Sequence, residues 1–386
     1  MIPKTANVVI IGSGAMGAST AYHLAKMGVK DIVILEKEEV PGGHTTSRCA
    51  GGFRHQFSTK INVLLSKLSI EKIRYLQEEL NYNFDINYCG YVFLLTENDD
   101  LSFFKNAVKM QNELNVNTQW LELNEIKEML PMMRIDDVIA ATYYEYDGLM
   151  EPSSLVNAYL SEAEKMGVKI FTGETVIGID TKDNKIEGIA TISGKISTPI
   201  VVNAAGPWAG EIGKLVNVNI PIKPVMQQLF FTSKIEWVSN SFPVVIFPYE
   251  GLGFHKEGDG LLTGMTKPPV KDNCFELMID EEWELLHCEK AIQRIPDIEN
   301  TYIRSRWAGF YEETEDDHPI VGSIPGIDGF YCIAGFNGHG FMQSPICGQL
   351  LAEEIIYGKA RSLDIEILRV ERFYNGKCTY TESFKI

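Results

Sequence analysis

Four β-branched residues in a row, Val8-Val9-Ile10-Ile11, run into Gly12-Ser13-Gly14-Ala15-Met16-Gly17, and a second apolar stretch, Ile32-Val33-Ile34-Leu35, ends on Glu36. Read together they predict a buried strand, a glycine turn, a helix from about Ala15 to Met27, and a second strand closing on a carboxylate. Each part has a physical task. Gly12 permits the tight turn, Gly14 lets backbone approach a pyrophosphate, and Gly17 lets the helix pack on the strand. A pyrophosphate then sits at the positive end of the helix. Glu36 follows Gly14 by 22 residues and can accept hydrogen bonds from both hydroxyls of an adenosine ribose, while its charge repels a 2′-phosphate. The pattern predicts a bound dinucleotide and leaves FAD and NAD open.

The chain has 386 residues, enough for two or three domains. Its net charge of −17 makes it a poor binder of nucleic acid or of an anionic membrane surface. No apolar run reaches the roughly 18 residues of a membrane span. Residues 8–11 are too short for a signal-peptide core and lead into a glycine loop, so no targeting segment is read and the expected compartment is the cytoplasm. Seven cysteines are scattered with no CxxC spacing, which argues against a disulfide framework, a zinc knuckle or a cluster site and leaves them as reduced thiols.

Further along, residues 59–80 carry apolar side chains at helical spacing, Tyr91–Leu95 is strand-like, and charged helices are expected across roughly 98–130. A helix opens at Pro152, and strands follow at 169–172 and 176–180 with a hairpin at Asp183-Asn184. Residues 198–203 form another buried strand entering Ala204-Ala205-Gly206-Pro207-Trp208. Residues 218–313 alternate, rich in aromatics and glycine, and read as antiparallel sheet. Residues 330–357 return to strand, glycine turn and helix. The expected fold is α/β, α+β overall. A discontinuous Rossmann-like domain (1–85, 146–217, 318–386) carries a mainly antiparallel-sheet domain (86–145, 218–317). A nucleotide domain left and re-entered suits a flavoenzyme better than a nicotinamide dehydrogenase, whose nucleotide half is usually contiguous.

Five stretches carry a wider pattern: the N-terminal fingerprint, Val202–Trp208, Pro224–Gln228, Asp317–Gly322 and Ala334–Phe341. With them the chain resembles, over nearly its whole length, the FAD-dependent amine and amino-acid oxidoreductases of the D-amino-acid oxidase superfamily, in the sarcosine- and glycine-oxidase branch. Arg48–Phe57 and Gly340-Phe341-Met342 look most like the β subunits of heteromeric L-proline dehydrogenases and sarcosine oxidases. The resemblance implies FAD, a small amino-acid substrate and an α-type partner subunit or other electron acceptor. It implies cofactor contacts from Gly12, Gly14, Ala15, Met16, Gly17, Glu36 and Lys37, from Thr45, Thr46 and Ser47, and from Val176, Ala204, Gly206 and Trp208. It adds Gly309 and the run Gly338, His339, Gly340, Phe341 and Met342.

Several residues can carry chemistry. The Gly338-His339-Gly340 turn opens a helix, so its amides present the positive end of the helix dipole to charge developing on a flavin edge. The turn, rather than the imidazole of His339, is the signal. Arg54 is the candidate for the substrate carboxylate, since a guanidinium forms two charge-assisted bonds to it; the competing reading is a surface or phosphate-edge arginine. The resemblance implies that Tyr311 lines the substrate pocket; the competing reading is an aromatic of the sheet core. His255 is either a pocket wall or a titrating group.

Departures from the family pattern also speak. Gly309 stands where monomeric sarcosine oxidases bond flavin to a cysteine, so FAD is expected to be non-covalent. Leu262 and Met342 replace lysines of those oxidases, with Lys256 and Lys267 as substitutes that can reach the first place; this favours a dehydrogenase. Residues 147–152 hold no histidine for covalent FMN, and a non-covalent FMN at a subunit interface stays open. Two rival functions remain. One is oxidation of a 2-hydroxy acid or glycerol 3-phosphate, with His255 as base. The other is a non-catalytic electron-transfer subunit.

Overall fold

The computed structural model describes residues 1–267, 275–374, 376 and 381–384. The fingerprint strand Val8–Ile11 lies inside a six-stranded sheet ordered Ile320–Ser323, Phe330–Ala334, Val201–Asn203, Val8–Ile11, Ile32–Leu35, Lys169–Phe171. All neighbours are parallel except Ile320–Ser323, which runs antiparallel to Phe330–Ala334. Strand periodicity of two divides the side chains. Val8, Ile10, Ile32 and Ile34 pack under helices Ala15–Lys26, Pro152–Lys165 and Gly340–Tyr357. Val9, Ile11, Val33 and Leu35 pack on the other face, with Ile179, Ile186, Ile189 and Ile196 of a three-stranded antiparallel sheet. The Asp183-Asn184 hairpin has φ of 50° and 58°, the left-handed pair a two-residue turn requires.

An eight-stranded sheet stands beside it, ordered Ile303–Glu313, Lys223–Thr232, Gly260–Met265, Leu252–Glu257, Val244–Phe247, Tyr91–Thr96, Val138–Tyr144, Gln119–Leu121. Its neighbours are antiparallel except Val244–Phe247 with Tyr91–Thr96, the parallel contact that joins the two sequence segments. Two expectations are corrected here. Residues 98–130 are not helix throughout: helices Leu101–Glu113 and Leu123–Met129 flank strand Gln119–Leu121. The 218–313 region is not all sheet: Glu281–Arg294 is a helix, capped by the Asp280 side chain on the Trp283 amide at 3.1 Å.

Candidate functional site

A cleft of about 410 Å³ opens at the carboxyl ends of the parallel strands, where Ile11, Leu35 and Ala204 reach the surface of the first sheet and Gln227, Leu229 and Gly309–Glu312 of the second sheet form the facing wall. That is the place where open α/β sheets bind ligands. Backbone geometry builds its floor. Gly12 has φ of 101°, and a Cβ there would stand 2.4 Å from the Ala204 carbonyl oxygen. At Gly17 a Cβ would stand 2.0 Å from the Gly12 oxygen, so both positions admit glycine alone. Glu36 is fixed at the edge: Oε2 accepts from the Ser13 amide at 2.9 Å and hydroxyl at 2.7 Å, and Oε1 from the Glu38 amide at 2.9 Å.

The structure brings to this cleft Gly12, Gly14, Ala15, Met16, Glu36 and Lys37, then Thr45, Thr46, Val176, Ala204, Gly206 and Trp208. Gly309, Tyr311, Arg54 and the run Gly338 to Met342 line it too. Gly17 lies beneath the wall as a packing glycine. Ser47 is a correction: it does not line the cleft, and its hydroxyl donates to the His44 carbonyl at 3.1 Å. His255 is another. It lines a smaller cavity beside the main one, shared with Tyr91, Tyr311, Gln227 and Leu229.

Arg54 is 1% exposed. Its Nη1 donates to the Gln56 carbonyl, and its Nη2 to His339 Nε2 at 3.1 Å and to the Phe384 carbonyl at 2.7 Å. The guanidinium carbon lies 4.2 Å from the centre of the Phe57 ring. All three acceptors are neutral, and no described carboxylate comes within ion-pair distance. Because arginine only donates, His339 accepts at Nε2 and is a neutral imidazole, and burial beside Arg54 holds its pKa well below the usual range. The imidazole is thus more than a passenger of its turn: it orients the arginine. Both Nη2 protons and one Nη1 proton are committed.

Two features escaped sequence reasoning. His55 Nδ1 donates to Asp147 at 2.7 Å, and Asp147 also takes the His55 amide at 2.8 Å and the Gln56 side-chain amide at 3.2 Å. This buried network pins the backbone that carries Arg54. The second is Cys49, a cleft-wall residue rather than a core thiol, whose thiol burial pushes up to about 12. Neither carries a sequence signal, since His55 and Asp147 lie 92 positions apart.

The cleft also holds buried polar atoms with nothing to bond: His44 Nδ1, Thr45 Oγ1, Arg48 Nε and Glu174 Oε2. Buried groups of this kind are nearly always satisfied in a native protein. Their place beside the Gly12–Gly14 cradle and the first turn of the Gly340–Tyr357 helix fits a long, polar, anionic dinucleotide such as FAD.

A family model described as FAD dependent oxidoreductase matches residues 7–354. The chain is 31% identical to Sarcosine dehydrogenase, mitochondrial, of Homo sapiens over 97% of its own length and 42% of that protein. To Dimethylglycine dehydrogenase, mitochondrial, of Rattus norvegicus it is 28% identical over 98% of its own length and 46% of that protein. It spans under half the length of both relatives. The solved L-proline dehydrogenase from P. horikoshii superposes with a TM-score of 0.90 at 32% identity, over 97% of this chain and 99% of that one. Glycine oxidase from Geobacillus kaustophilus shares the fold, with a TM-score of 0.85 at 24% identity over 95% and 99% of the two chains.

Proposed function

The chain belongs to the family of FAD dependent oxidoreductases, and on that premise we propose that it oxidises a small α-amino or N-alkyl amino acid whose carboxylate is held at Arg54. One observation carries the reading: a guanidinium 1% exposed stands on the cleft wall, and its hydrogen-bond partners among the described residues are all neutral. Glu382 and Asp147 act on Arg54 only from beyond ion-pair distance, and burying a charge without a direct counter-ion costs several kcal/mol, so Arg54 suits an anionic ligand. A substrate carboxylate supplies it, with Tyr311 beside it on the same wall. The relatives named above act, by their names, on sarcosine, dimethylglycine, L-proline and glycine, all of them small amino acids, which supports the choice of anion.

FAD, when bound, supplies a two-electron acceptor for the hydride leaving the carbon next to the substrate nitrogen. Gly12, Gly14, Glu36, Thr45, Thr46 and Arg48 are the residues to hold its adenosine and diphosphate parts. The first amides of the Gly340–Tyr357 helix give it a positive edge. The chain's own part is placement and exclusion of water. Arg54 fixes one end of the substrate, and His339 with the His55–Asp147 network fixes Arg54. The 2-hydroxy-acid alternative loses the base it named, because His255 lines the side cavity.

In this proposal residues 1–85, 146–217 and 318–386 carry FAD, and residues 86–145 and 218–317 close over the substrate. FAD is held without a covalent bond: Gly309 offers no nucleophile, and the Cys49 thiol is far from ionising. The electron acceptor is reached through a partner subunit, and the compartment is the cytoplasm. Cys49, Cys89, Cys288, Cys332 and Cys347 are free thiols, which suits reducing surroundings. No described helix is long and apolar enough to cross a membrane.

Anaerobic addition of sarcosine, dimethylglycine, L-proline or glycine should bleach the flavin absorbance. Arg54→Ala should lower kcat/KM by about two decades or more, the usual result of removing one side of a desolvated charge pair, with FAD content kept. Loss of flavin from the variant moves Arg54 to the cofactor site. No bleaching by any amino acid overturns the reading.

A further inference from the structure

Beside the main cleft lies a second cavity of about 90 Å³, and the two share Ala50, Tyr91, Gln227, Leu229 and Tyr311 as walls. Val244, Ile246, Phe254, Leu262 and Met265 make most of the remainder apolar, and no Asp, Glu, Lys or Arg lines it among the described residues. Two of its lining residues bury a polar atom with no partner among the described residues: His255 Nε2 and Thr266 Oγ1. His255 is 6% exposed, and its Nδ1 lies 2.8 Å from the Lys256 carbonyl. A carbonyl only accepts, so Nδ1 bears the proton and Nε2 is a bare acceptor. Burial, which holds this imidazole down to about 4, keeps it so. The polar side chains of Gln227 and Gln228 are spent elsewhere, on the backbones of Lys267 and Asp280.

What the cavity lacks is therefore defined. It wants one donor for His255 and can exchange a second hydrogen bond with the Thr266 hydroxyl. A charged group would be desolvated there with no counter-charge, at a cost far above what two hydrogen bonds return. A purely hydrocarbon group would fit the walls and leave both polar atoms orphaned. The volume is about three times the roughly 30 Å³ share of one water molecule, room for a few carbon atoms and one oxygen.

We propose that this cavity receives the side chain or ring of the substrate and that His255 and Thr266 read a hydroxyl carried on it. The hydroxyl donates to His255 Nε2 and accepts from Thr266 Oγ. The inference rests on the amino-acid oxidation proposed above and names its substrate class: a short amino acid hydroxylated away from the reacting carbon. The two ends meet at Tyr91 and Tyr311, which wall both cavities and both feel the charge of Arg54. A carboxylate on Arg54 thus leaves its side chain facing the side cavity.

The test uses the FAD-loaded enzyme, an artificial electron acceptor and pairs that differ by a hydroxyl: proline with 4-hydroxyproline, valine with threonine (the isosteric pair), alanine with serine, in both enantiomers. In at least one pair the hydroxylated member should have a kcat/KM tenfold or more above its partner, since a site built to bond a hydroxyl discriminates strongly against its absence. His255→Leu and Thr266→Val should each shrink that ratio about tenfold. If amino acids are oxidised but no pair shows the preference, the cavity does not read a hydroxyl and the inference falls alone. It falls alone, too, if folded, flavin-loaded variants keep the wild-type ratio. If no amino acid reduces the enzyme, the proposed function fails and takes the inference with it. The wild-type comparison stands even if one variant fails to fold.

Discussion

Glu312 lies on the cleft wall, 8% exposed, with Oε2 taking the Gly335 amide at 2.9 Å. Burial raises its carboxyl to about 7 against the pull of that backbone bond. The sign follows by linkage. An acid whose folded pKa lies above its unfolded value of about 4.3 contributes stability that is complete below pH 4.3 and lost as pH climbs towards 7. The loss levels off above that, at roughly 4 kcal/mol for a gap of this size. Glu312→Gln keeps an acceptor and removes the ionisation. Its melting temperature should gain on wild type steadily between pH 4.5 and 7 and hold the gain at higher pH. Parallel curves for the two proteins would show that Glu312 titrates normally. Residue type and loop context pointed to Arg54 in the sequence and the family resemblance to Tyr311, and both line the cleft. The partners of Arg54 were not legible, because Gln56, His339 and Phe384 reach it from three separate parts of the chain.

Elements read well from sequence where the signal is local and regular. The strand–turn–helix fingerprint, the Lys60–Glu79 helix and the Asp183-Asn184 hairpin each depend on neighbours within a few residues. The Glu281–Arg294 helix was missed because six of its fourteen residues are charged and it buries only His287, Ala291 and Arg294, so it shows little apolar period. Nor does periodicity reveal the segment that ends at Phe384. Glu382 is buried there, and its carboxylate accepts from the Ser58 amide and hydroxyl at 2.8 and 2.5 Å and from the Thr59 amide and hydroxyl at 3.1 and 2.8 Å. Asn62 donates to it as well, at 3.1 Å. This carboxylate sits at the N-terminal end of the Lys60–Glu79 helix, where the helix dipole adds to the hydrogen bonds, and so ties down the segment whose Phe384 carbonyl meets Arg54. Glu382→Ala leaves several buried donors unpaired, about 1–3 kcal/mol for each one that water cannot reach. The expected result is a melting temperature several degrees lower and a raised KM for the amino acid at normal FAD content. An unchanged melting temperature would mean that the segment is not anchored through this carboxylate.

At the scale of the whole molecule, the two sheets enclose the cleft so that its cations are few and already engaged. Three line it among the described residues: Lys37, Arg48 and Arg54. Lys37 sits 3.1 Å over the Trp208 ring, Arg48 donates to the Ala308 carbonyl at 3.2 Å, and Arg54, the residue proposed to hold the substrate anion, donates to Gln56, His339 and Phe384. The lysines weighed as substitutes do not reach the cleft wall. Lys267 turns its ammonium to Asp280, and Lys256 lines neither cavity. Leu262 is buried on the side cavity, and Met342 points its sulfur at the Arg54 amide. Reduction of oxygen by one electron makes an anion, and a fixed cation at the point where that charge develops is what speeds it. With no uncommitted lysine on the wall, the substrate-reduced enzyme should react slowly with oxygen and quickly with an artificial acceptor dye. Stopped-flow reoxidation in air-saturated buffer measures the first rate, and dye-coupled turnover the second. The dye rate should exceed the oxygen rate by tenfold or more. Reoxidation by oxygen that keeps pace with turnover, with one peroxide formed per substrate, would make the protein an oxidase. An oxidase needs no electron-accepting partner, so the same experiment decides whether a partner subunit is required by the chemistry.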